Sequence, residues 1–217
     1  VPTKTVTSDD AVRLAKEYGS IGVAYTYNEP LINFEYLLET AHEAHKYNLK
    51  NVLVTNGYIN EEPLVNILPY IDAANIDVKS FRNDFYKDYC KAKLGDVLRT
   101  VEIMVRQKKH VEVTNLVIPA LNDSDSEVED LTDWLYSLSD KIPLHFSRYY
   151  PCYKMTIKAT PLATLERVRK IAQKKLKHVY LGNVWENPES NTYCPSCKEV
   201  LIERRGYHTR MVGLAGE

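Results

Sequence analysis

The segment Tyr25–Pro30 (YTYNEP) places the carboxylate of Glu29 between an apolar run and a proline. Proline favours the first turn of a helix, so Glu29 is predicted beside a helix N-terminus, where the helix dipole favours negative charge. A carboxylate in that position can bind an ammonium group or act as a general acid. Capping of the next helix by Asn28 and Glu29 is the structural alternative. We expect a functional site, because capping alone does not require Tyr25 and Tyr27 to cluster with them.

Two further segments carry groups that suit a small polar ligand. Thr55, Asn56 and Gly57 follow an apolar run; they offer a hydroxyl and an amide to a ribose or a carboxylate, and glycine permits close approach of the backbone. Asp77 and Lys79 alternate along a predicted strand and therefore share one face. An opposite-charge pair inside a fold is costly unless it binds a ligand or pairs tightly. The pair therefore predicts either a binding site or a structural salt bridge.

The later strands supply candidates that each have a structural alternative. Asn115 and Val117 share a strand face; Asn115 could hydrogen-bond a ligand, and Val117 could pack on a flat ring or simply in the core. On another strand, His145 and Arg148 lie on opposite faces. Arg148 could pair with a carboxylate, whereas a single strand histidine is more often a satisfied core residue.

These residues fall at the ends of short apolar runs separated by amphipathic stretches of helical period. Strands that alternate with helices indicate a parallel sheet, in which the functional residues lie at the carboxyl ends of the strands. Six such strands predict an α/β fold, a partial (βα)6 TIM-like barrel. The predicted strands are Ile21–Thr26, Val52–Thr55, Ala73–Val78, Val111–Ile118, Leu144–Tyr149 and His178–Leu181. The predicted helices are Ser8–Tyr18, Leu31–Tyr47, Glu61–Leu68, Asn83–Lys108 with a break near Gly95, Glu127–Leu138 and Ala163–Leu176.

Size and composition restrict the functional class. The 217 residues carry 28 basic and 29 acidic side chains, a balance that argues against a broad nucleic-acid or anionic-membrane surface. The sequence contains no apolar run of about 18 residues and no recognisable signal peptide. Four cysteines in a chain of this length do not suggest a disulfide framework, so we expect a cytoplasmic protein. The predicted domains are the barrel, residues 1–184, and a C-terminal tail, residues 185–217.

The beginning and the end of the chain prompt two further expectations. The chain starts at Val1 and reaches a helix at Ser8 without a preceding strand, so we expect an N-terminally truncated barrel with an exposed edge at its first strand. The tail contains Cys194 and Cys197 in a C-P-S-C sequence followed by a predicted hairpin, Val200–Tyr207. A tetrahedral metal site needs four ligands. The pair therefore predicts half of a Zn or Fe site or, alternatively, two free thiols.

The combination of motifs is more specific than any one of them. Taken in order, GVAYTYNEP, VTNG, NIDVKS, VTNLVIPALND, HFSRYYP and NTYCPSCKEVLIERRGY resemble the radical S-adenosylmethionine (SAM) family. Within that family the chain is most similar to the pyruvate formate-lyase activating enzymes and to the radical SAM enzymes of the AmmeMemoRadiSam system. The resemblance extends over nearly the whole chain.

The resemblance implies a [4Fe–4S] cluster that reductively cleaves SAM to a 5′-deoxyadenosyl radical, which then abstracts hydrogen from a protein or small-molecule substrate. It also implies an electron donor such as flavodoxin or ferredoxin. In the family a Gly-Gly-Glu motif holds the methionine amino group; here Tyr27 and Asn28 replace the two glycines before Glu29. The cofactor-binding residues implied in this way are Tyr27, Asn28, Glu29, Thr55, Asn56, Asp77, Lys79, Asn115, Val117, His145 and Arg148.

The family's C-x3-C-x2-C cluster motif is absent from this sequence, since Cys90 and Cys152 are isolated and Cys194 and Cys197 have the wrong spacing. An iron–sulfur cluster needs thiolate ligands, so we expect this chain alone to be inactive and the full-length protein to be the enzyme. Two alternatives remain. One is a barrel glycoside hydrolase with Glu29 as acid/base and Glu186 as nucleophile, and the other is a non-catalytic binding module.

Overall fold

The structure of the protein, a computed structural model, describes residues 5–184, 190–206 and 208–213. The chain forms two compact units, Val1–Val78 with Gly95–Val111 and Lys79–Leu94 with Glu112–Glu217. Its first six strands belong to one parallel sheet and follow one another in chain order. The predicted α/β class is therefore confirmed. Within the described ranges no helix is long and apolar enough to cross a membrane.

The helices and strands alternate as the sequence predicts, and their ends differ from the predicted ends by a few residues. The helices are α1 Ser8–Glu17, α2 Phe34–Lys46, α3 Glu61–Ile67, α4 Asn83–Phe85, α5 Leu94–Arg106, α6 Asp125–Leu138 and α7 Leu162–Ala172. The sheet strands are β1 Gly22–Tyr25, β2 Lys50–Thr55, β3 Ala73–Asp77, β4 His110–Val117, β5 Leu144–Arg148 and β6 Val179–Gly182. Three more strands follow, β7 Thr192–Tyr193, β8 Val200–Arg205 and β9 His208–Met211.

Helix α1 begins at Ser8, as the sequence predicts, and its N-cap is the residue before it. Thr7, and not Ser8, is the N-cap, and its hydroxyl accepts a hydrogen bond from the backbone N of Asp10 at 3.2 Å. Ser8 lies inside the helix, is buried, and donates to the carboxylate of Glu39 on α2. The helix therefore attaches to its neighbour by a polar contact at its first turn as well as by its apolar face.

A buried polar network holds β2 in the first unit. Asn51 is fully buried, and its amide donates to the carbonyl oxygens of Ala41 and Tyr70, each at 2.9 Å. Its own oxygen accepts the hydroxyl of Tyr25 at 2.9 Å. Burial raises the pKa of the Tyr25 phenol far above its ordinary value, so the group remains a neutral donor. Because every polar atom of this amide is satisfied, the network fixes β1 and β2 against α2.

The second unit contains a parallel part and an antiparallel part. Strands β4, β5 and β6 pair in parallel, with Val113 opposite Leu144 and Phe146 opposite Leu181 on the buried face. Strands β7, β8 and β9 form a separate antiparallel sheet. The sequence predicted only a hairpin in that region. Tyr207 and Glu186 lie outside the described residues.

The predicted helix Asn83–Lys108 is interrupted near Gly95, as predicted, at residues 91–93. The single turn α4 continues into a π-helical turn, Tyr86–Cys90, which ends at Lys91 in the left-handed region with φ 55°. Helix α5 then begins at Leu94, so Gly95 lies inside it. The break is produced by the π-turn and by the left-handed residue that ends it.

Gly22 and Gly95 provide a matched test of strand packing. A Cβ at Gly22 would lie 2.1 Å from the backbone oxygen of Lys50, whereas a Cβ at Gly95 would meet nothing within 4 Å. We expect Gly22→Ala to lower the free energy of unfolding by about 1–3 kcal/mol because the backbone must shift. We expect Gly95→Ala to raise it by about 0.5–1 kcal/mol through helix propensity. Urea denaturation measures both, and an unchanged stability of Gly22→Ala would contradict the close approach of β1 to β2.

Candidate functional site

The Glu29 carboxylate joins the end of β1 to the end of β2. Its Oε1 accepts the hydroxyl of Thr55 at 2.6 Å and the backbone N of Leu31 at 3.2 Å, and its Oε2 accepts the backbone N of Asn56 at 2.7 Å. Glu29 is half-buried. A carboxylate offers about four acceptor positions, so these three donors leave capacity for one more, such as an ammonium group. The site residues Glu29, Thr55 and Asn56 are thus in direct contact.

The turn after β2 is built to bring its backbone to this carboxylate. The Thr55 hydroxyl, which donates to Glu29, also accepts the backbone N of Gly57 at 3.1 Å, and the side chain of Asn56 accepts the backbone N of Tyr58 at 2.8 Å. Gly57 has φ 69°, and a Cβ there would lie 2.7 Å from the side chain of Ile76. Glycine is therefore required by both conformation and space.

The other residues of the first motif do not share this position. Tyr25 is buried, and its hydroxyl donates to Asn51, so its side chain points into the core and not to Glu29. Tyr27 is 96% exposed, and Asn28 is exposed. The capping alternative is correct in part, because Glu29 is the N-cap of a 3₁₀ turn, Pro30–Asn33. One carboxylate therefore both caps that turn and binds the end of β2.

Asp77 is the last residue of β3 and lies half-buried. Its neighbours Ile76 and Val78 are fully buried, so Asp77 points to the opposite face of the strand. Ile76 lies opposite Thr55 in the parallel register. Asp77 therefore lies one residue nearer the C-terminal ends of the strands than Thr55, whose hydroxyl donates to Glu29.

In the second unit, Lys79 is hydrogen-bonded at both polar atoms of its backbone. Its N donates to the hydroxyl of Tyr86 at 3.1 Å, and its O accepts the side-chain amide of Asn122 at 2.6 Å. Lys79 itself is half-buried. The backbone that carries this ammonium group is consequently fixed by side chains from two other segments of the same unit.

Asn115 and Val117 lie on the buried face of β4, at 3% and 0% exposure. They are opposite Phe146 and Arg148 of β5. The carbonyl oxygen of Val117 accepts the hydroxyl of Thr160 at 2.6 Å. The shared face that the sequence predicted is correct, and it is a buried one; contact with a cofactor remains a prediction for both residues.

His145 belongs to a small polar cluster on the opposite face of the same strands. Its Nε2 lies 2.7 Å from the carboxylate of Glu112, and its ring stacks on Tyr180 with centroids 5.1 Å apart. The hydroxyl of Tyr180 in turn lies 3.0 Å from that of Thr192. The histidine is thus neither a simple core residue nor an isolated one, because it links β4, β5 and β6 through a carboxylate and an aromatic ring.

Arg148 fastens the segment after β5 to the strand end. Its Nε donates to the carbonyl oxygen of Thr160 at 2.8 Å, and its guanidinium donates to the hydroxyl of Tyr150 at 3.0 Å. The backbone N of Tyr149 donates to the Thr160 hydroxyl at 3.2 Å. The guanidinium, which was predicted to pair with a carboxylate, binds a carbonyl and a phenol here.

Several residues that organise these strand ends were not predicted. Asn122 lay within the quoted ALND sequence, and Glu127 was interpreted only as the first residue of a helix. Asn122 and Glu127 could have been found from the sequence, because each is a polar residue within about five residues of a strand end or a helix start. The partners of Glu112 and Thr160 depend on contacts distant in sequence, for which no local pattern exists. The unpredicted residues are Glu112, Asn122, Glu127 and Thr160.

The cysteines do not fit a [4Fe–4S] cluster. Burial raises the pKa of the Cys90 thiol, although nearby Lys79 opposes the effect, so this thiol is a poor source of thiolate. Cys152 is exposed, and all four cysteines are free. Among the described residues no group of three or more His, Cys, Asp or Glu side chains could hold a metal ion. This part of the chain therefore offers no ligand set for the cluster.

The fold and the sequence define the class of this protein. Residues 2–135 match the Radical SAM superfamily. The match covers more than half of the chain, and the chain belongs to this superfamily of enzymes.

Individual relatives agree with that assignment. The chain is 41% identical to an uncharacterized Methanocaldococcus jannaschii protein over 220 residues, which cover 99% of this chain and 64% of that protein. It is 24% identical to the (2S)-3-sulfopropanediol dehydratase activating enzyme of Klebsiella oxytoca over 114 residues, 52% of this chain and 36% of that enzyme. The chain thus spans less than two thirds of the length of each of these relatives.

A solved structure agrees on the fold. A domain of the pyruvate-formate lyase-activating enzyme of Bacteroides vulgatus superposes with a TM-score of 0.65 at 15% identity, covering 75% of this chain and 99% of that domain. The family match and the activating-enzyme relative confirm the predicted resemblance to the radical SAM family and to its activating enzymes.

Proposed function

We propose that the full-length protein is a radical SAM enzyme that cleaves SAM reductively, with a [4Fe–4S] cluster, to a 5′-deoxyadenosyl radical for hydrogen abstraction. This function is similar to that of glycyl-radical-enzyme activases. The family match over residues 2–135 and the activating-enzyme relative support the proposal. The observation that carries it for this chain is the Glu29 carboxylate, hydrogen-bonded to Thr55 and Asn56 at neighbouring strand ends.

In this proposal the chain supplies the SAM-binding residues and not the cluster ligands. The remaining acceptor capacity of Glu29 suits the methionine ammonium group, and the opposite charges of Asp77 and Lys79 suit the zwitterionic and ribose parts of the cofactor. The chain's role is to bind and orient SAM and to exclude water from a radical site. Tyr27, Asn28, Asn115, Val117, His145 and Arg148 remain proposed cofactor-binding residues.

The substrate and the electron donor are proposed at the level of class. The named activating-enzyme relative takes its name from a second enzyme, a dehydratase, so a protein substrate is the first candidate and a small molecule the second. A flavodoxin or ferredoxin is the proposed reductant. The family match favours this function over the glycoside hydrolase alternative, whose second carboxylate, Glu186, lies outside the described residues. It also favours an enzyme over a purely binding module.

The separate C-P-S-C turn supports a second proposal, a Zn or Fe half-site at Cys194 and Cys197. Hydrogen bonds from the backbone amides of Cys197 and Ser196 and from the Cys197 side chain hold the pKa of the Cys194 thiol below its ordinary value. Lys198 has φ 63° and so occupies a left-handed position at which glycine is favoured. Backbone N–H groups directed at a sulfur stabilise a thiolate, which is the form that binds metal.

Product formation tests the main proposal. The full-length protein, reconstituted anaerobically with iron and sulfide and given a reductant, is expected to release 5′-deoxyadenosine from SAM in a chromatographic assay. The present chain, treated in the same way, is expected to release none, because it lacks the cluster cysteines. A full-length protein with a spectroscopically loaded cluster but no 5′-deoxyadenosine would contradict the function.

Calorimetric titration with SAM tests the role of Glu29. We expect Glu29→Gln to weaken binding by about tenfold or more, because a charge-assisted hydrogen bond to ammonium is lost. Glu35→Gln, at an exposed glutamate in the first turn of α2, is the matched control and should bind as the wild type does. Circular dichroism checks that both variants fold. Equal affinity of Glu29→Gln and the wild type would exclude Glu29 from the binding site.

Cobalt titration tests the half-site. In the presence of a phosphine reductant, Co²⁺ is expected to produce thiolate charge-transfer absorption whose intensity counts two sulfur ligands, or four if two chains share one ion. Cys194→Ser/Cys197→Ser should abolish these bands, and Cys90→Ser/Cys152→Ser should leave them unchanged. Identical spectra of all three proteins would show that the C-P-S-C turn binds no metal.

A further inference from the structure

We propose that Tyr86, Asn122 and Glu127 form a clamp that holds the backbone of Lys79–Phe81 and thereby positions the Lys79 ammonium group for the cofactor. We call these three side chains the Lys79 clamp. They are positioning residues, since each acts on the backbone that carries Lys79. The inference rests on the proposed SAM-binding function and adds three residues to it, of which only Asn122 lies within one of the sequence motifs.

The first part of the clamp saturates the backbone of Lys79. The Tyr86 hydroxyl accepts its N–H, and the Asn122 amide donates to its carbonyl oxygen. Asn122 is itself fixed: its Oδ1 accepts the backbone N of Ile118 at 2.6 Å, and its Nδ2 also donates to the carbonyl oxygen of Leu116 at 2.9 Å. At 2% exposure this amide is a rigid bridge from the end of β4 to Lys79.

The second part of the clamp holds the two following residues. Glu127 Oε1 accepts the hydroxyl of Ser80 and the backbone N of Phe81, the latter at 2.9 Å. Ser80 is fully buried, and its oxygen also accepts the backbone N of Arg82 at 3.1 Å. Lys79, Ser80 and Phe81 are therefore each hydrogen-bonded to a side chain of the clamp, and the backbone N of Arg82 is hydrogen-bonded to Ser80.

Glu127 makes these bonds at a cost to its own environment. It is 6% exposed, and within the described part of the chain its Oε2 is buried without a hydrogen-bond partner. Glu127 is also the third residue of α6, where a capping box would turn its side chain back to Ser124; only the Ser124 half of that box forms. A buried carboxylate kept in an unfavourable setting calls for a specific role, and holding Ser80 and Phe81 provides one.

Tyr86 reaches Lys79 from an unusual backbone. It opens the π-helical turn, its carbonyl oxygen accepts the backbone N of Ala92 at 3.1 Å, and Lys91 closes the turn in the left-handed region. Such turns are rare overall and are frequent at functional sites. The π-turn is thus a local irregularity of the backbone, and it places the Tyr86 hydroxyl beside the backbone N–H of Lys79.

The test compares two tyrosines of the same π-turn. Tyr86→Phe removes the hydroxyl that accepts the Lys79 N–H, whereas Tyr89→Phe alters a side chain that is 53% exposed. We expect Tyr86→Phe to speed hydrogen exchange of the Lys79 amide and to weaken SAM binding about three- to tenfold, the value of one hydrogen bond. Tyr89→Phe should change neither.

A double-mutant cycle isolates the route through Lys79. In a Lys79→Ala background, Tyr86→Phe is expected to cause no further loss of SAM affinity; an equal loss in both backgrounds would overturn the proposal. So would fast Lys79 exchange in Tyr86→Phe with unchanged SAM affinity, which would make the contact purely structural. The same comparison can be made on α6 with Glu127→Gln as the test variant and Glu129→Gln, at an exposed residue, as its control. A wild-type chain that binds no SAM would instead refute the SAM-binding role proposed for this chain, and Lys79 exchange would then judge the clamp alone.

Discussion

A carboxylate that accepts hydrogen bonds from a neighbouring strand end is the interaction on which the candidate site depends. Parallel strands end in exposed amides and carbonyls, and the chain must leave each strand by a turn that satisfies them. Glu29 does so for the turn after β2 with two bonds, from the Thr55 hydroxyl and the Asn56 backbone N, and it accepts a third from the backbone N of Leu31 in its own turn. Because the same carboxylate caps the 3₁₀ turn that follows β1, the two exits cannot move independently. A ligand that binds Glu29 therefore meets a group whose orientation is already set, and little conformational entropy is lost.

In the second unit another carboxylate, Glu127, also accepts hydrogen bonds from the segment after a strand, but it contributes less to stability. Glu127 also accepts a hydroxyl and a backbone amide, but its other oxygen is buried without a hydrogen-bond partner among the described residues. An unmet acceptor of this kind costs about 1–3 kcal/mol, whereas each bond made contributes about 1 kcal/mol or somewhat more for a charged acceptor. Glu127 is thus close to neutral for stability. Its presence is better explained by the geometry it imposes on Ser80 and Phe81 than by net stabilisation of the fold.

Hydrophobic period was sufficient to predict the alternating helices and strands, because each strand of the parallel sheet is a short apolar run and each connecting helix is amphipathic. It was not sufficient for features that depend on a single residue's conformation. The helix does break near Gly95, at residues 91–93, but it is Lys91 that adopts the left-handed conformation, and the glycine lies within α5. β7 was not predicted because a strand of two residues shows no hydrophobic periodicity. β9 was not predicted as a separate strand because all of its residues are exposed, so it has no alternation of buried and exposed positions.

Alternation along a strand predicts which residues share a face but not which face is buried, and this decides how each candidate can act. Asp77 lies on the half-buried face of β3, so its carboxylate remains available to a polar ligand. Asn115 lies on the buried face of β4 beside core residues, at 3% exposure, so little of its amide is open to a ligand. SAM and a [4Fe–4S] cluster also differ in the protein groups that they require. An ammonium group needs only a pre-oriented carboxylate, which Glu29 provides, whereas a [4Fe–4S] cluster needs several converging thiolates. Cys90 and Cys152 are isolated in sequence, and burial raises the pKa of the first. The described residues thus include a pre-oriented carboxylate suited to an ammonium group and no converging set of thiolates suited to a cluster.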